Sequence, residues 1–160
     1  MSRVPATDQA AGGAERLAGL MSKGLVSGSV VGVGIDAVDI DRLRAMLARR
    51  RHLAERLFTA GELSYAHKAS DPVPRLATRF ATKEAVMKAL GLGLGAFGLH
   101  DVEVVRTGLD APRLVLHGEA ADLARVAGVV RWHLSLTHTD SLALAAVVAD
   151  GWSPDGHRRP

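Results

Sequence analysis

Glu84 and Lys88 stand four residues apart in a stretch with helical patterning, so their side chains project from one face. Alone, such a pair is an ordinary surface ion pair that contributes only ~0.2–0.5 kcal/mol. Lys83 lies about one hundred degrees round the helix from Glu84. Asp36 closes a short apolar run, Val30 to Ile35, that reads as a buried strand. A carboxylate at such a strand end is either a cap or turn residue, or half of a pair that holds a hard divalent cation. Magnesium takes one or two protein carboxylates and completes its octahedron with water and substrate phosphate, a count that Asp36 and Glu84 satisfy. His138 and Thr139 fall at the tip of an expected hairpin, as solvated loop residues or as phosphate contacts. No second histidine stands at metal-ligand spacing, which argues against zinc. Gly91-Leu92-Gly93-Leu94-Gly95 is not a P-loop, because the Gly-Lys-Ser/Thr ending is missing. It is not a dinucleotide fingerprint either, because it follows a helix instead of a strand.

A basic segment lies between these groups. Arg42 to Arg56 holds six arginines against the single acid Glu55. It is either a solvated face or a docking surface for an anionic partner. Arg42, Arg49 and Arg56 recur every seven residues and would share a face if one helix carried all three. A nucleic-acid-binding module is the competing reading. It lacks support, because two Trp, one Tyr and three Phe are too few and too scattered to stack bases.

The bulk composition narrows the class. The chain has 160 residues, enough for one domain, and 48% are hydrophobic but only 4% aromatic, so the core must be aliphatic. The absence of cysteine rules out disulfides, thiolate metal sites and cysteine nucleophiles, and fits a reducing compartment. No apolar run approaches the ~20 residues that cross a bilayer. The first residues lack the basic then apolar pattern of a secretion signal. A soluble cytoplasmic protein without membrane or nucleic-acid partners is the expectation.

Positioning these groups requires the following elements. The strand near Val30–Ile35 leads to a helix from about Ile40 to Arg51, capped by Asp39 or Asp41. Thr59 and Glu62 form a capping box for a second helix reaching about Ala69. Asp71-Pro72-Val73-Pro74 breaks the chain before a long helix, Arg75 to Leu90, which Gly91 stops. Strands near Val102–Arg106 and Arg113–His117 flank a turn. A helix over Glu119–Ala127 ends at Gly128, and Trp132–Thr137 pairs with Leu142–Val148 as a hairpin. The order β-α-α-α-β-β-α-β-β predicts an α+β fold, a largely antiparallel sheet packed with a long central helix. Residues 29–150 form the domain, 1–28 read as an extension, a frayed helix or a linker, and 151–160 as a polar tail.

Three blocks, in order, resemble the holo-acyl-carrier-protein synthases, the small type of 4′-phosphopantetheinyl transferase. The first is Gly32-Val33-Gly34-Ile35-Asp36-Ala37-Val38-Asp39-Ile40-Asp41-Arg42. The second is Arg79-Phe80-Ala81-Thr82-Lys83-Glu84-Ala85-Val86-Met87-Lys88-Ala89-Leu90-Gly91, and the third is Leu134-Ser135-Leu136-Thr137-His138. The resemblance spans roughly residues 30 to 150 and departs from the family in the 28 residues before the first strand. It implies that Asp36 and Glu84 ligate magnesium, and that Glu84 and Lys88 are catalytic. It further implies that Lys83, Lys88, Gly91, His138 and Thr139 contact coenzyme A. Arg42, Arg49 and Arg56 would dock an acidic acyl carrier protein, and the chain would form a homotrimer with coenzyme A at the subunit junctions. The implied reaction is attack by the carrier's serine hydroxyl on the β-phosphorus of coenzyme A, with Glu84 taking the proton directly or through a water. A non-catalytic coenzyme A binder is a further reading, against which stands the presence of both carboxylates and Lys88.

Overall fold

The computed structural model describes residues 29–108 and 110–151. The expectations for the amino-terminal extension and the polar tail concern segments outside the described residues, apart from Gly151, which closes the last strand. Among the described residues five strands and five helices follow the expected order, with one short helix, Leu53–Leu57, where none was expected. They are β1 (Ser29–Asp39), α1 (Ile40–Arg49), α2 (Leu53–Leu57), α3 (Ala60–Ala66), α4 (Val73–Ala89), β2 (Val102–Val105), β3 (Arg113–Leu116), α5 (Gly118–Val126), β4 (Val129–His138) and β5 (Leu142–Gly151). A short 3-10 turn, Leu99–Asp101, enters β2.

The fold is α+β, and every strand pairing is antiparallel. The strands divide into a three-stranded sheet, β1-β5-β4, and a separate pair, β2-β3. Helix α4 packs across the three-stranded sheet. Ala81, Ala85, Val86 and Ala89 from the helix meet Ala145 and Val147 from β5 in one core cluster. Small side chains let the helix lie close, which suits a chain so poor in aromatics. A second cluster, around Ile40, Leu43, Phe58 and Leu76, joins α1 and the loop after α2 to the first half of α4.

Several boundaries differ from the sequence expectation, and three of them have an identifiable physical reason. β1 continues to Asp39, so Asp36 lies inside the strand, opposite Ala145 of β5. β1 is buried on one face only: Val33 and Ile35 are 56% and 57% exposed on the other. α4 starts at Val73, because proline in a first helical turn lacks only an N–H that has no acceptor there. Asp71 accepts the Val73 N–H at 3.0 Å. α1 ends at Arg49, where Arg50 turns extended (φ −129°, ψ 99°). A straight continuation would carry Leu57 and Phe58 away from the second core cluster. The turn buries Phe58, packs the half-buried Leu57 against that cluster, and places Arg56 on a separate helix from Arg42 and Arg49.

Candidate active site

The strand β1 presents Gly32, Gly34 and Asp36 to the same side as alternate residues of a pleat. A Cβ on Gly32 would lie 1.8 Å from the Ala89 carbonyl oxygen, and one on Gly34 would lie 1.8 Å from that of Ala85. The helix backbone therefore rests directly on the strand backbone. One step further along the pleat, Asp36 is 8% exposed and meets the last turns of α4. Lys88 Nζ donates to Asp36 Oδ1 at 2.6 Å and to the Ile35 carbonyl at 3.1 Å. The hydrogen bond to the Asp36 carboxylate holds the Lys88 pKa above its ordinary value.

Glu84 joins this pair from one turn earlier on α4. Burial pushes its carboxyl pKa up, the charge of Asp36 adds to that rise, and Lys88 partly offsets it. Two carboxylates and one ammonium thus share a partly enclosed spot between β1 and α4. The remaining repulsion between Asp36 and Glu84 is the electrostatic condition that a divalent cation relieves. Among the described residues there is no cluster of three or more His, Cys, Asp or Glu side chains that could hold a metal by themselves. The donor set is two carboxylates, the number magnesium takes when substrate oxygens and water complete its shell.

Lys83, expected beside Glu84 as a coenzyme A contact, is elsewhere. Its side chain has no exposed surface, and Nζ is 2.8 Å from Glu62 Oε2. It also donates to the carbonyls of Leu99 (2.8 Å) and Val102. All three ammonium protons have acceptors within the protein, so none is free for a phosphate. Glu62 is equally buried and accepts the N–H groups of Thr59 (3.1 Å) and Val104 (3.1 Å), completing the expected capping box. The pair is an internal tie between α3, α4 and the entry to β2. Gly91 has a conformational reason as well: at φ +70° it ends α4, with its N–H on the Lys88 carbonyl at 3.0 Å and that of Leu92 on Met87 at 2.9 Å.

A second polar feature lies on the other flank of α4. A cleft of about 380 Å³ is lined by Tyr65, Arg75, Thr78, Arg79, Arg106, Pro112, Leu136, Thr137 and His138. Three guanidinium groups face one opening and no carboxylate lines it. Arg79 is 3% exposed, its guanidinium sits 4.3 Å from the Tyr65 ring centroid, and its Nε finds no acceptor among the described residues. Arg75 stacks on the same ring at 4.8 Å. Burial lowers the Arg79 pKa. At Tyr65 burial acts to raise the pKa, but the hydrogen bond from Arg106 and the surrounding cations outweigh it, and the net direction is down. A buried arginine with an unused N–H, in a cleft of one charge, is a site prepared for an anion. His138 lines this cleft at the end of β4. Thr139 is engaged in the β4–β5 turn, its N–H on the Leu142 carbonyl (2.8 Å) and its hydroxyl accepting from Leu142 N (3.1 Å).

The family model of the 4′-phosphopantetheinyl transferase superfamily matches residues 32–147. This chain belongs to that superfamily. The holo-[acyl-carrier-protein] synthase of Frankia casuarinae is 48% identical over 122 residues, covering 76% of this chain and 98% of the relative. That of Moorella thermoacetica is 43% identical over 124 residues, covering 77% and 97%. The holo-(acyl-carrier-protein) synthase of Bacillus anthracis, solved in complex with coenzyme A (3′,5′-ADP), superposes with a TM-score of 0.63 at 31% identity, covering 77% of this chain and 98% of that one.

Within the matched transferase region the structure brings Asp36, Glu84 and Lys88 together and sets His138 apart from them. Arg42 and Arg49 are exposed on α1, which starts directly after β1, and Arg56 is exposed on α2. Arg44, from the same basic segment, is instead spent on Asp71 in two hydrogen bonds of 3.0 and 2.9 Å. Sequence reasoning missed Arg75, Arg79 and Arg106 as a group. The four-residue spacing of Arg75 and Arg79 was a visible signal, whereas Arg106 joins them only through the packing of β2 against α3.

Proposed function

We propose that the chain transfers 4′-phosphopantetheine from coenzyme A to a serine hydroxyl of an apo acyl carrier protein, yielding the holo carrier and adenosine 3′,5′-bisphosphate. The observation that carries this reading is the convergence of Asp36, Glu84 and Lys88, with Asp36 Oδ1 and Lys88 Nζ 2.6 Å apart. In the step itself the serine oxygen bonds to the β-phosphorus and the bond to the bridging pyrophosphate oxygen breaks. Glu84 accepts the serine proton, and burial, which holds its carboxyl above the ordinary pKa, makes it the stronger base for that role. Lys88 donates to the phosphate oxygens on which charge accumulates, and Asp36 holds Lys88 in place meanwhile. Asp36 and Glu84 are the residues that would hold magnesium, which when bound neutralises pyrophosphate charge.

The arginine cleft takes the anionic nucleotide end of coenzyme A, with Arg79 and His138 at its wall. Gly91, exposed beside Lys88, lets the phosphates approach the helix end. Arg42, Arg49 and Arg56 offer positive charge to an acidic carrier surface. Asp36 on β1 and Leu136 at the cleft are separated by β5, which puts their backbones about 10 Å apart at the usual strand spacing. Helix α4 lies across that gap. A homotrimer resolves this separation by setting the cleft of one copy against the carboxylates of the next. The uncovered apolar face around Val33 and Ile35 supports such an assembly. No helix of the described residues is long and apolar enough to cross a membrane. With the absence of cysteine, a cytoplasmic location completes the reading.

Intact mass spectrometry of an apo carrier protein incubated with the chain, coenzyme A and magnesium tests this. The expected result is a gain of one phosphopantetheine on the carrier serine. An unchanged carrier mass beside demonstrable coenzyme A binding favours the non-catalytic binder instead.

A further inference from the structure

The contact between β1 and α4 has no slack. Real Cβ atoms essentially never approach another heavy atom within 3.0 Å, and both Gly32 and Gly34 would place theirs at 1.8 Å from helix carbonyls. A methyl at either position forces strand and helix apart by about 1 Å, since backbone cannot rotate away as a side chain does. Neither glycine is there for a left-handed turn: the positive-φ glycines of the described residues are Gly91, Gly95, Gly108, Gly118 and Gly128. What the missing side chains supply is the strand-to-helix distance.

That distance is shared with the reactive groups. Asp36 follows Gly34 on the same face of β1. Glu84 immediately precedes Ala85, and Lys88 precedes Ala89, the two residues whose carbonyls touch the glycines. The carboxylate of the strand and the carboxylate and ammonium of the helix therefore have their separation set by Gly32 and Gly34. We propose that Gly32 and Gly34 are positioning residues for the transfer reaction, acting as a spacer that holds Asp36 within reach of Glu84 and Lys88. This rests on the reading of Asp36 and Glu84 as a cation-holding pair.

The test compares full-length wild type, Gly34→Ala and Gly32→Ala with Val102→Ala, a β2 core truncation in the same cluster as α4 that costs stability but leaves Gly32 and Gly34 against the helix carbonyls. Binding of Mn²⁺ alone is measured by electron paramagnetic resonance on protein without coenzyme A. Transfer rates are measured with magnesium, and denaturant unfolding ranks the stability of each variant. Gly34→Ala is expected to lose about 100-fold in kcat, the scale of a 1 Å misplacement. Its Mn²⁺ affinity falls at least ~10-fold, while the KM for the carrier protein stays at the wild-type value. Gly32→Ala, which presses only on the last residue of α4, gives a smaller loss in the same two readouts and decides the question if Gly34→Ala does not fold. Wild-type kcat and Mn²⁺ affinity in a folded glycine variant overturn the proposal. So does an equal kcat loss in Val102→Ala at matched stability. Absence of Mn²⁺ binding to the wild type would instead remove the cation-holding reading, and the kcat-against-KM comparison would still decide the spacer.

Discussion

Lys83 and Glu84 are consecutive residues that serve different flanks of α4. The first is sealed in a buried ion pair with Glu62, and the second faces Asp36 across the β1 seam. The roughly 100° turn between neighbours on a helix makes this possible. One helix thereby carries a structural tie and a reactive group on adjacent positions.

Glu84→Gln should abolish transfer and stabilise the metal-free protein. The sign follows from its raised pKa. Stability from Glu84 is fully present below the carboxyl's ordinary pKa of 4.5 and is lost as pH rises through the higher folded value. Above the folded value the charged carboxylate is therefore a cost that the amide removes. Urea unfolding in chelator should show the variant more stable, and added magnesium should narrow the gap by stabilising only the wild type. A variant less stable than wild type in chelator contradicts this.

Lys83→Met leaves Glu62 buried without its counter-charge and should cost about 3–5 kcal/mol. The double variant Lys83→Met with Glu62→Gln should recover part of that loss, because no unpaired charge remains. Equilibrium urea unfolding of the two singles and the double measures the coupling. Were Lys83 a coenzyme A ligand instead, the single variant would keep its stability and show a raised KM for coenzyme A.

Arg106→Ala removes one guanidinium from the mouth of the cleft that Arg79 and His138 line. The KM for coenzyme A should rise about 10-fold, corresponding to ~1.4 kcal/mol, with the KM for the carrier protein unchanged. Steady-state kinetics with each substrate varied in turn reads both. An effect confined to the carrier protein would move the nucleotide away from this cleft.

Arg42→Ala should do the reverse. Its side chain is exposed, so its charge acts through long-range attraction to an acidic partner. The carrier KM should rise several-fold at low salt, and the difference from wild type should shrink as salt is added. Salt-independent loss would point to a folding defect.

Ile35→Asp places a charge on the uncovered face of β1, where Ile35 is 57% exposed. A monomer has little to lose from this change, but an assembly that buries this face should dissociate. Sedimentation equilibrium should show wild-type trimers and mutant monomers, with transfer lost in parallel. Unchanged mass would place the interface elsewhere.

Much of the frame is local and could be read directly from the chain. The Thr59–Glu62 capping box, the Asp39 cap of α1, the glycine stop at Gly91 and the β4–β5 hairpin each depend on side chains within a few residues of one another. The pairing of Glu84 with Lys88 is likewise a property of helical spacing. Where α1 ends, and hence where Arg56 points, was not legible, because burial of Leu57 and Phe58 against distant residues overrides the local period.

The sequence by itself determined which groups are available: two carboxylates and a lysine on a strand and a helix, an arginine-rich segment, and no thiol. Only the tertiary structure decided which of them meet. It joined Asp36 to Lys88 across fifty-two positions, withdrew Lys83 into the core, and gathered Arg75, Arg79 and Arg106 around Tyr65. The physical reason is that charge pairing depends on distance in space, and that distance is set here by backbone packed on backbone at Gly32 and Gly34, where the strand carries no side chain.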